Sequence, residues 1–339
     1  MQNLLVTGGA GFIGSNFVQY MLKKYPAARL INLDALTYAG NLENLKDVSQ
    51  YPNHHFIKGD IRDVQTVDSI FEKYEIDCVV HFAAESHVDR SINNPYCFVT
   101  TNVLGTQILL NAAKNHWKLR PDDSYCRDYR SGVRFIQIST DEVYGALGAT
   151  GKFTEEAALS PNSPYAASKA SADMMVRAYE KTYGLPINIT RCSNNYGPYQ
   201  FPEKLIPLMI HNCISEKPLP VYGDGLQIRD WVHVTDHCSA IDAVLQKGEP
   251  GEVYNIGGNI EKTNIEIVKY IIKVLGKSKN LVTHVPDRPG HDRRYSIDYT
   301  KITTELGWSP AYTFEKGIAE TIQWYLSHRD WMDRAILKT

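Results

Sequence analysis

The stretch L4-L-V-T-G-G-A-G-F-I-G14 constrains this chain more than any other. A short apolar run ends at Gly8, and Gly9, Gly11 and Gly14 then stand in the spacing G-x-G-x-x-G. Alone, that pattern is a weak signal. Here it follows a first strand, opens a helical segment, and is answered by Asp34 at the end of the second apolar run, twenty residues past Gly14. This is the context a dinucleotide-binding fingerprint requires. Glycines let the backbone approach a pyrophosphate, and a helix N-terminus offers it N–H donors and positive dipole. Asp34 would accept from the adenosine ribose hydroxyls and repel a 2′-phosphate, which favours NAD over NADP.

The rest of the first half keeps the same rhythm. Apolar runs at Asn3–Thr7, Leu30–Asp34, His55–Lys58, Cys78–Phe82, Val133–Ser139 and Ile187–Arg191 alternate with helical patterns at 12–24, 63–74, 94–116 and 164–183. The runs do not alternate strictly in polarity, as expected of parallel strands covered on both faces. The pattern predicts an α/β fold, a Rossmann-type doubly wound parallel sheet. In such a sheet, Asp60, Ile61, Ala83 and Ala84 fall at strand ends, beside the adenine or against the cofactor backbone. The polar stretch 117–132 reads as a surface excursion.

After Arg191 the texture changes, with prolines and turns crowding Asn194–Pro202, Lys217–Pro220 and Tyr222–Gly225. This predicts a smaller, mostly C-terminal α/β substrate domain. Residues 1–191 and about 228–262 are assigned to the NAD-binding domain, and 192–227 with 263–339 to the second. The run Ile228–His237 and the helix after it are expected to return to the main sheet.

Composition narrows the class. The chain has 339 residues, 43% hydrophobic and 22% charged, with a formal net charge of −2. Nothing in that balance argues for a nucleic-acid or membrane surface. No apolar run approaches the roughly 20 residues of a membrane helix. The N-terminus reads as a first strand, not a signal peptide, so a cytoplasmic protein is expected. The six cysteines are scattered without ligand spacing, which favours reduced thiols over a metal site or disulfides.

Two motifs carry chemistry. N162-S-P-Y-A-A-S-K169 opens a helix, with Ser163 as N-cap and Pro164 at the first position. Tyr165 and Lys169 then share one face. A phenol titrates near about 10, and a neighbouring ammonium and the positive helix end should draw Tyr165 toward use as a base. Its expected work is to take a substrate hydroxyl proton while hydride leaves the same carbon, with Thr140 bonding that oxygen. The second motif, I136-Q-I-S-T-D-E-V-Y-G145, sets Asp141 and Glu142 side by side where a buried strand ends. Adjacent carboxyls in a poorly solvated site titrate as a coupled pair, one of them raised. One carboxylic acid and one carboxylate suit an elimination. For a diphosphate, the candidate cations are Lys204, Arg229 and Arg294, and Ser86 and His87 lie on a loop that could reach a sugar.

Together with the glycine loop, the segments D34-A-L-T-Y-A-G-N41, A83-A-E-S-H-V-D-R-S91, S139-T-D-E-V-Y-G145 and Arg191–Pro207 resemble the sugar-nucleotide dehydratases of the extended short-chain dehydrogenase/reductase superfamily. The resemblance runs along most of the chain and implies a three-step reaction on a nucleotide-linked glucose, with dTDP-glucose the substrate it suggests. Carbon 4 is oxidised by NAD, water leaves across carbons 5 and 6, and the hydride returns to carbon 6. The resemblance makes Asp141 the general acid and Glu142 the base. It adds Phe12, Ile13, Thr37, Thr101 and Asn195 on the cofactor side. On the substrate side it adds Asn194, Leu205, Pro220, Tyr222, Asn264, His291 and Tyr295. It also implies a homodimer through a four-helix bundle, for which Leu109, Leu110, Ala112, Ala113, Met174, Met175, Val176 and Ala178 are the expected apolar surface.

Overall fold

The computed structural model describes residues 1–287 and 289–337. Its first six strands are β1 (Asn3–Thr7), β2 (Arg29–Asp34), β3 (His54–Lys58), β4 (Cys78–His81), β5 (Arg134–Thr140) and β6 (Ile187–Cys192). Six more follow: β7 (Asn194–Tyr196), β8 (Leu219–Tyr222), β9 (Ile228–His233), β10 (Val253–Ile256), β11 (Glu261–Thr263) and β12 (Val282–Val285). The main sheet runs β10-β6-β5-β4-β1-β2-β3, and every pairing in it is parallel. Chain order reverses at β1, which has β2 on one side and β4 on the other. A crevice outside the carboxyl ends at such a point is where doubly wound sheets take ligands.

Both faces are covered, which is why the strands read as unbroken apolar runs. Helices Phe12–Lys24 and Val234–Lys247 bury Phe17, Met21, Ile241 and Val244 against Leu4, Val6 and Ile136. On the other face, Val64–Tyr74, Thr106–Trp117 and Pro164–Tyr183 bury Phe71, Leu109 and Val176 against Leu5, Ile31 and Val79. Each such side chain contributes about 1.5–3 kcal/mol when fully buried. A separate core forms around Tyr196, Trp231, Ile267 and Ile318, under helices Leu205–Ile214, Asn264–Leu275, Phe314–Ser327 and Arg329–Ile336. The last of these helices reaches back to the first half. The Trp331 indole N–H donates to Asn44 Oδ1 (2.8 Å), and Asn44 Nδ2 donates to the Ala10 carbonyl in the glycine loop (2.9 Å).

Three sequence expectations need correction. The segment 94–116 is not one helix: a short turn at Pro95–Phe98 passes into a π-helical turn, Val99–Gly105, before the α-helix Thr106–Trp117. Widened turns of this kind often occur at functional sites, and here a Cβ on Gly105 would lie 2.5 Å from Ile61 Cδ1. The strand Ile228–His233 does not rejoin the main sheet. It lies between β7 and β11 in a three-stranded sheet, because β10 already occupies the edge beyond β6. Only helix Val234–Lys247 and β10 return. Finally, Leu109, Leu110, Ala112, Ala113 and Val176 are buried within this chain. The large apolar groups left exposed on these segments are Tyr96, Val99, Leu104 and Met174.

Gly14 fixes how closely the first helix meets the strand before it. A Cβ there would stand 2.2 Å from the Gly8 carbonyl oxygen, which is backbone and cannot swing aside. Gly14→Ala should therefore lower the unfolding free energy by about 1–3 kcal/mol, read by chemical denaturation. A variant as stable as the parent would contradict the close packing.

Candidate functional site

A cavity of about 410 Å³ opens along the carboxyl ends of β1 to β6. Its floor is the glycine loop, where Gly8 has φ of +73° and a Cβ would meet the Ala83 backbone at 2.6 Å. Gly11 caps helix Phe12–Lys24 without a side-chain bond, and no acid stands in the first turn. Gly8, Gly11, Phe12, Ile13 and Gly14 all line the cavity. Uncapped N–H groups and a positive helix end suit a phosphate. Asp34 Oδ2 accepts from Ala10 N–H (2.9 Å) and Oδ1 from Leu36 N–H (2.8 Å), which aims the carboxylate into the cavity mouth. Burial raises its pKa, and those two N–H bonds oppose the rise.

Thr37, Asp60, Ile61, Ala83, Ala84, Thr101 and Asn195 line the same space, so the expected cofactor positions converge on one cavity. Asp60 is held by Arg62 in an ion pair of 2.6 Å. These groups fit a dinucleotide: small or glycine residues where the backbone must be approached, and a carboxylate at the second strand end.

The reacting groups stand at the ends of β5 and β6. Ser163 caps helix Pro164–Tyr183 by accepting from Ala166 N–H (3.1 Å), which brings Tyr165 and Lys169 into the cavity wall. The Lys169 ammonium donates to the Ile138 carbonyl at 2.6 Å. Burial lowers its pKa while Asp173 opposes the shift. The expected depression of the Tyr165 phenol is not what this geometry gives. Burial raises it well above the usual range, the Glu142 charge adds to the rise, and a hydrogen bond with Thr140 works the other way.

The Thr140 hydroxyl caps the short 3-10 turn Asp141–Tyr144, accepting from Glu142 N–H at 3.3 Å. Glu142 is half-buried on the cavity wall, whereas Asp141 lies behind it, 3% exposed. Burial raises the Asp141 pKa well above the carboxylate range, with the Glu142 and Asp230 charges adding to it and Arg229 opposing. Burial and the neighbouring charges thus favour the acid form of Asp141, beside a second carboxyl. The sequence identified the pair; it did not identify which member is sequestered.

The expected substrate residues divide. Ser86, Asn194 and Lys204 line the cavity, and Lys204 Nζ donates to the Ser86 carbonyl at 3.2 Å. His87 faces Glu203 at 3.5 Å. Arg229 lies against the Tyr295 ring at 4.3 Å, and the Glu142 charge reaches Tyr295, so these two adjoin the acid turn. Tyr222 and His291 meet edge to face with centroids 6.2 Å apart. Pro220 lies in β8, while Leu205 and Asn264 open helices. Arg294 is not available for a diphosphate. Its guanidinium is committed to Glu261 at 2.7 and 2.8 Å, with further donation to the Gly148 and Gly151 carbonyls.

The sequence reading missed a buried chain beneath the cofactor floor. His81 joins Thr7 (2.7 Å) to Thr106 (3.0 Å), and burial, with the Lys169 charge, pushes its pKa down to about 3, so it stays neutral. It also missed Tyr38 and Glu203 on the wall, with Arg90 stacked 3.9 Å from the Tyr38 ring. Tyr38 and Glu203 sit inside segments that carry the family resemblance, but nothing local distinguishes them from surface residues.

Residues 5–321 match the family model described as GDP-mannose 4,6 dehydratase. The dTDP-glucose 4,6-dehydratase of Xanthomonas campestris pv. campestris (strain B100) is 54% identical over 341 residues, 98% of this chain and 95% of that protein. The crystal structure of dTDP-glucose 4,6-dehydratase from Bacillus anthracis str. Ames in complex with NAD is similar at a TM-score of 0.89 and 53% identity, covering 99% of this chain and 100% of that one. The Streptomyces venezuelae enzyme with NAD and TYD bound gives a TM-score of 0.91 at 49% identity, covering 98% and 100%. Near-complete coverage at that identity, over a cavity built as described, decides the matter: the chain belongs to the dTDP-glucose 4,6-dehydratases, a family of sugar-nucleotide dehydratases.

Proposed function

We propose that the protein converts dTDP-glucose to dTDP-4-dehydro-6-deoxy-glucose, as an NAD-dependent hydro-lyase. The observation that carries this reading is the turn Thr140–Asp141–Glu142, where a buried carboxyl stands directly behind Glu142 on the wall that Thr140 and Tyr165 also line. Thr140 and Tyr165 receive the oxygen on carbon 4, and Tyr165 takes its proton as hydride leaves that carbon. NAD, when bound, supplies the hydride acceptor and a positive charge beside Tyr165. The ketone at carbon 4 acidifies the proton on carbon 5, which Glu142 removes. Asp141 gives its proton to the carbon 6 hydroxyl, which departs as water. Hydride then adds to carbon 6, and Glu142, its proton by then exchanged with solvent, protonates carbon 5. Tyr165 then gives up the proton it took and Asp141 regains one from solvent, which returns both groups to their starting states.

The main sheet with its helices is the cofactor half in this reading, and the second core carries the sugar nucleotide. Lys204 and Arg229 bring positive charge to the diphosphate. Asn194, Asn264, Tyr295, His291 and Tyr222 supply polar contacts to sugar and base. A 4-epimerase would use the same cofactor and Tyr165 but give the Asp141–Glu142 pair no work. A cytoplasmic location belongs to the same proposal, since a diphosphate substrate does not cross a bilayer unaided. Among the described residues, no helix is long and apolar enough to cross a membrane.

We also propose a homodimer through the adjoining segments 95–117 and 164–183. Tyr96 is 77% exposed, Val99 53%, Leu104 48% and Met174 57%. Groups of that kind on neighbouring helices are a surface that a second copy would cover.

Two measurements test these readings. Glu142→Gln should still oxidise carbon 4, seen as enzyme-bound NADH, while forming product at least about 100-fold more slowly. With the parent enzyme in heavy water, NMR should find deuterium at carbon 5 of the product. Near-normal dehydration by the variant would remove Glu142 from its role. For the assembly, light scattering should give twice the 38.3 kDa chain mass, and Leu104→Glu with Met174→Glu should give the single chain. A monomer in the parent protein would end the dimer proposal.

A further inference from the structure

Beneath the catalytic wall lies an ion pair that the mechanism above does not use. Arg191, on β6, is 1% exposed, and Asp173, on helix Pro164–Tyr183, is fully buried. Arg191 Nε donates to Asp173 Oδ2 at 2.9 Å. Its Nη1 donates to the Tyr144 hydroxyl at 3.0 Å, with the guanidinium 4.9 Å from that ring. Tyr144 in turn donates to Asn255 Oδ1 on β10 at 2.8 Å. Asn255 is itself held, donating from its backbone N–H to Glu155 (2.8 Å) and from Nδ2 to the Phe153 carbonyl (3.0 Å). Burial raises the Tyr144 pKa to about 12, which keeps the phenol a donor and acceptor at once.

The elements joined here are the ones that carry the chemistry. Tyr165, Lys169 and Asp173 are spaced four residues apart, so they share one face of one helix. Tyr144 closes the short turn that begins with Asp141 and Glu142. One guanidinium therefore holds the helix of the redox tyrosine with one nitrogen and the turn of the two acids with another. None of Asp173, Arg191 or Tyr144 lines the cavity. A buried ion pair adds little net stability over apolar packing of the same volume, so its presence between these two elements is better explained by the geometry it imposes.

We propose that Asp173, Arg191 and Tyr144 form a positioning strut that sets the distance between the groups that oxidise carbon 4 and the groups that expel water from carbons 5 and 6. The reaction makes this spacing matter. One sugar ring must meet Tyr165 at carbon 4 and the two carboxyls at carbons 5 and 6 without leaving the site. A misplacement of about 1 Å can cost a reaction up to 100-fold. The strut rests on the assignment of Tyr165, Asp141 and Glu142 given above.

Tyr144→Phe is the direct test, since it removes one oxygen, keeps the ring and touches neither ligand. It should bind NAD and dTDP-glucose within about twofold of the parent, yet lower kcat by about tenfold or more. Because oxidation and elimination fall out of step, bound NADH should also accumulate during steady turnover. Asp173→Asn should do the same where it folds, and Asp173→Glu should recover part of the loss. If Tyr144→Phe only lowers the melting temperature, with parental kcat and no accumulated NADH, the strut is merely structural and the proposal fails. Failure of the underlying reading looks different: Glu142→Gln would then dehydrate normally, whatever Tyr144→Phe does.

Discussion

The exclusion of water from charged groups at the ends of parallel strands governs this molecule. Helices on both faces seal the sheet, so whatever stands at its carboxyl edge gives up most of its hydration. Asp34, Asp141, Lys169 and Asp173 are all less than a tenth exposed there. Three of them are tolerable because something fixed replaces the solvent. Two backbone N–H groups meet Asp34, the Ile138 carbonyl meets Lys169, and Arg191 meets Asp173. Asp141 differs, in that burial and the Glu142 charge favour its acid form. The proposed reaction draws on that difference, since a carboxyl that stays neutral can donate where an exposed one could not.

Seen this way, the two halves of the reaction draw on opposite consequences of one environment. Dryness favours an acid at Asp141, but it also resists formation of the phenolate at Tyr165. In the proposed reaction the tyrosine therefore needs positive charge beside it, and the charge of bound NAD would be the source.

Much of this was legible in the sequence where a short pattern has one physical solution. The glycine spacing followed by Asp34 implied β1, a helix and β2, and the strand limits agree within a residue. Ser163-Pro164 placed the start of the catalytic helix. What escaped depended on contacts distant in the chain. Arg294 looked like a free cation because Glu261, its partner, lies 33 residues away. The run at Ile228 was expected to rejoin the main sheet, yet the edge beyond β6 is taken by β10, which comes later in the chain. The π-helical turn at 99–105, which sets Gly105 against Ile61, is invisible to helical periodicity. His81 and Arg191 read as ordinary strand residues because their roles lie in what they touch.

The link from Trp331 through Asn44 to Ala10 ties the second core to the glycine loop by two hydrogen bonds. Loosening of the helix Arg329–Ile336 would therefore be felt at the cavity floor, so damage remote from the pocket has a direct route into it.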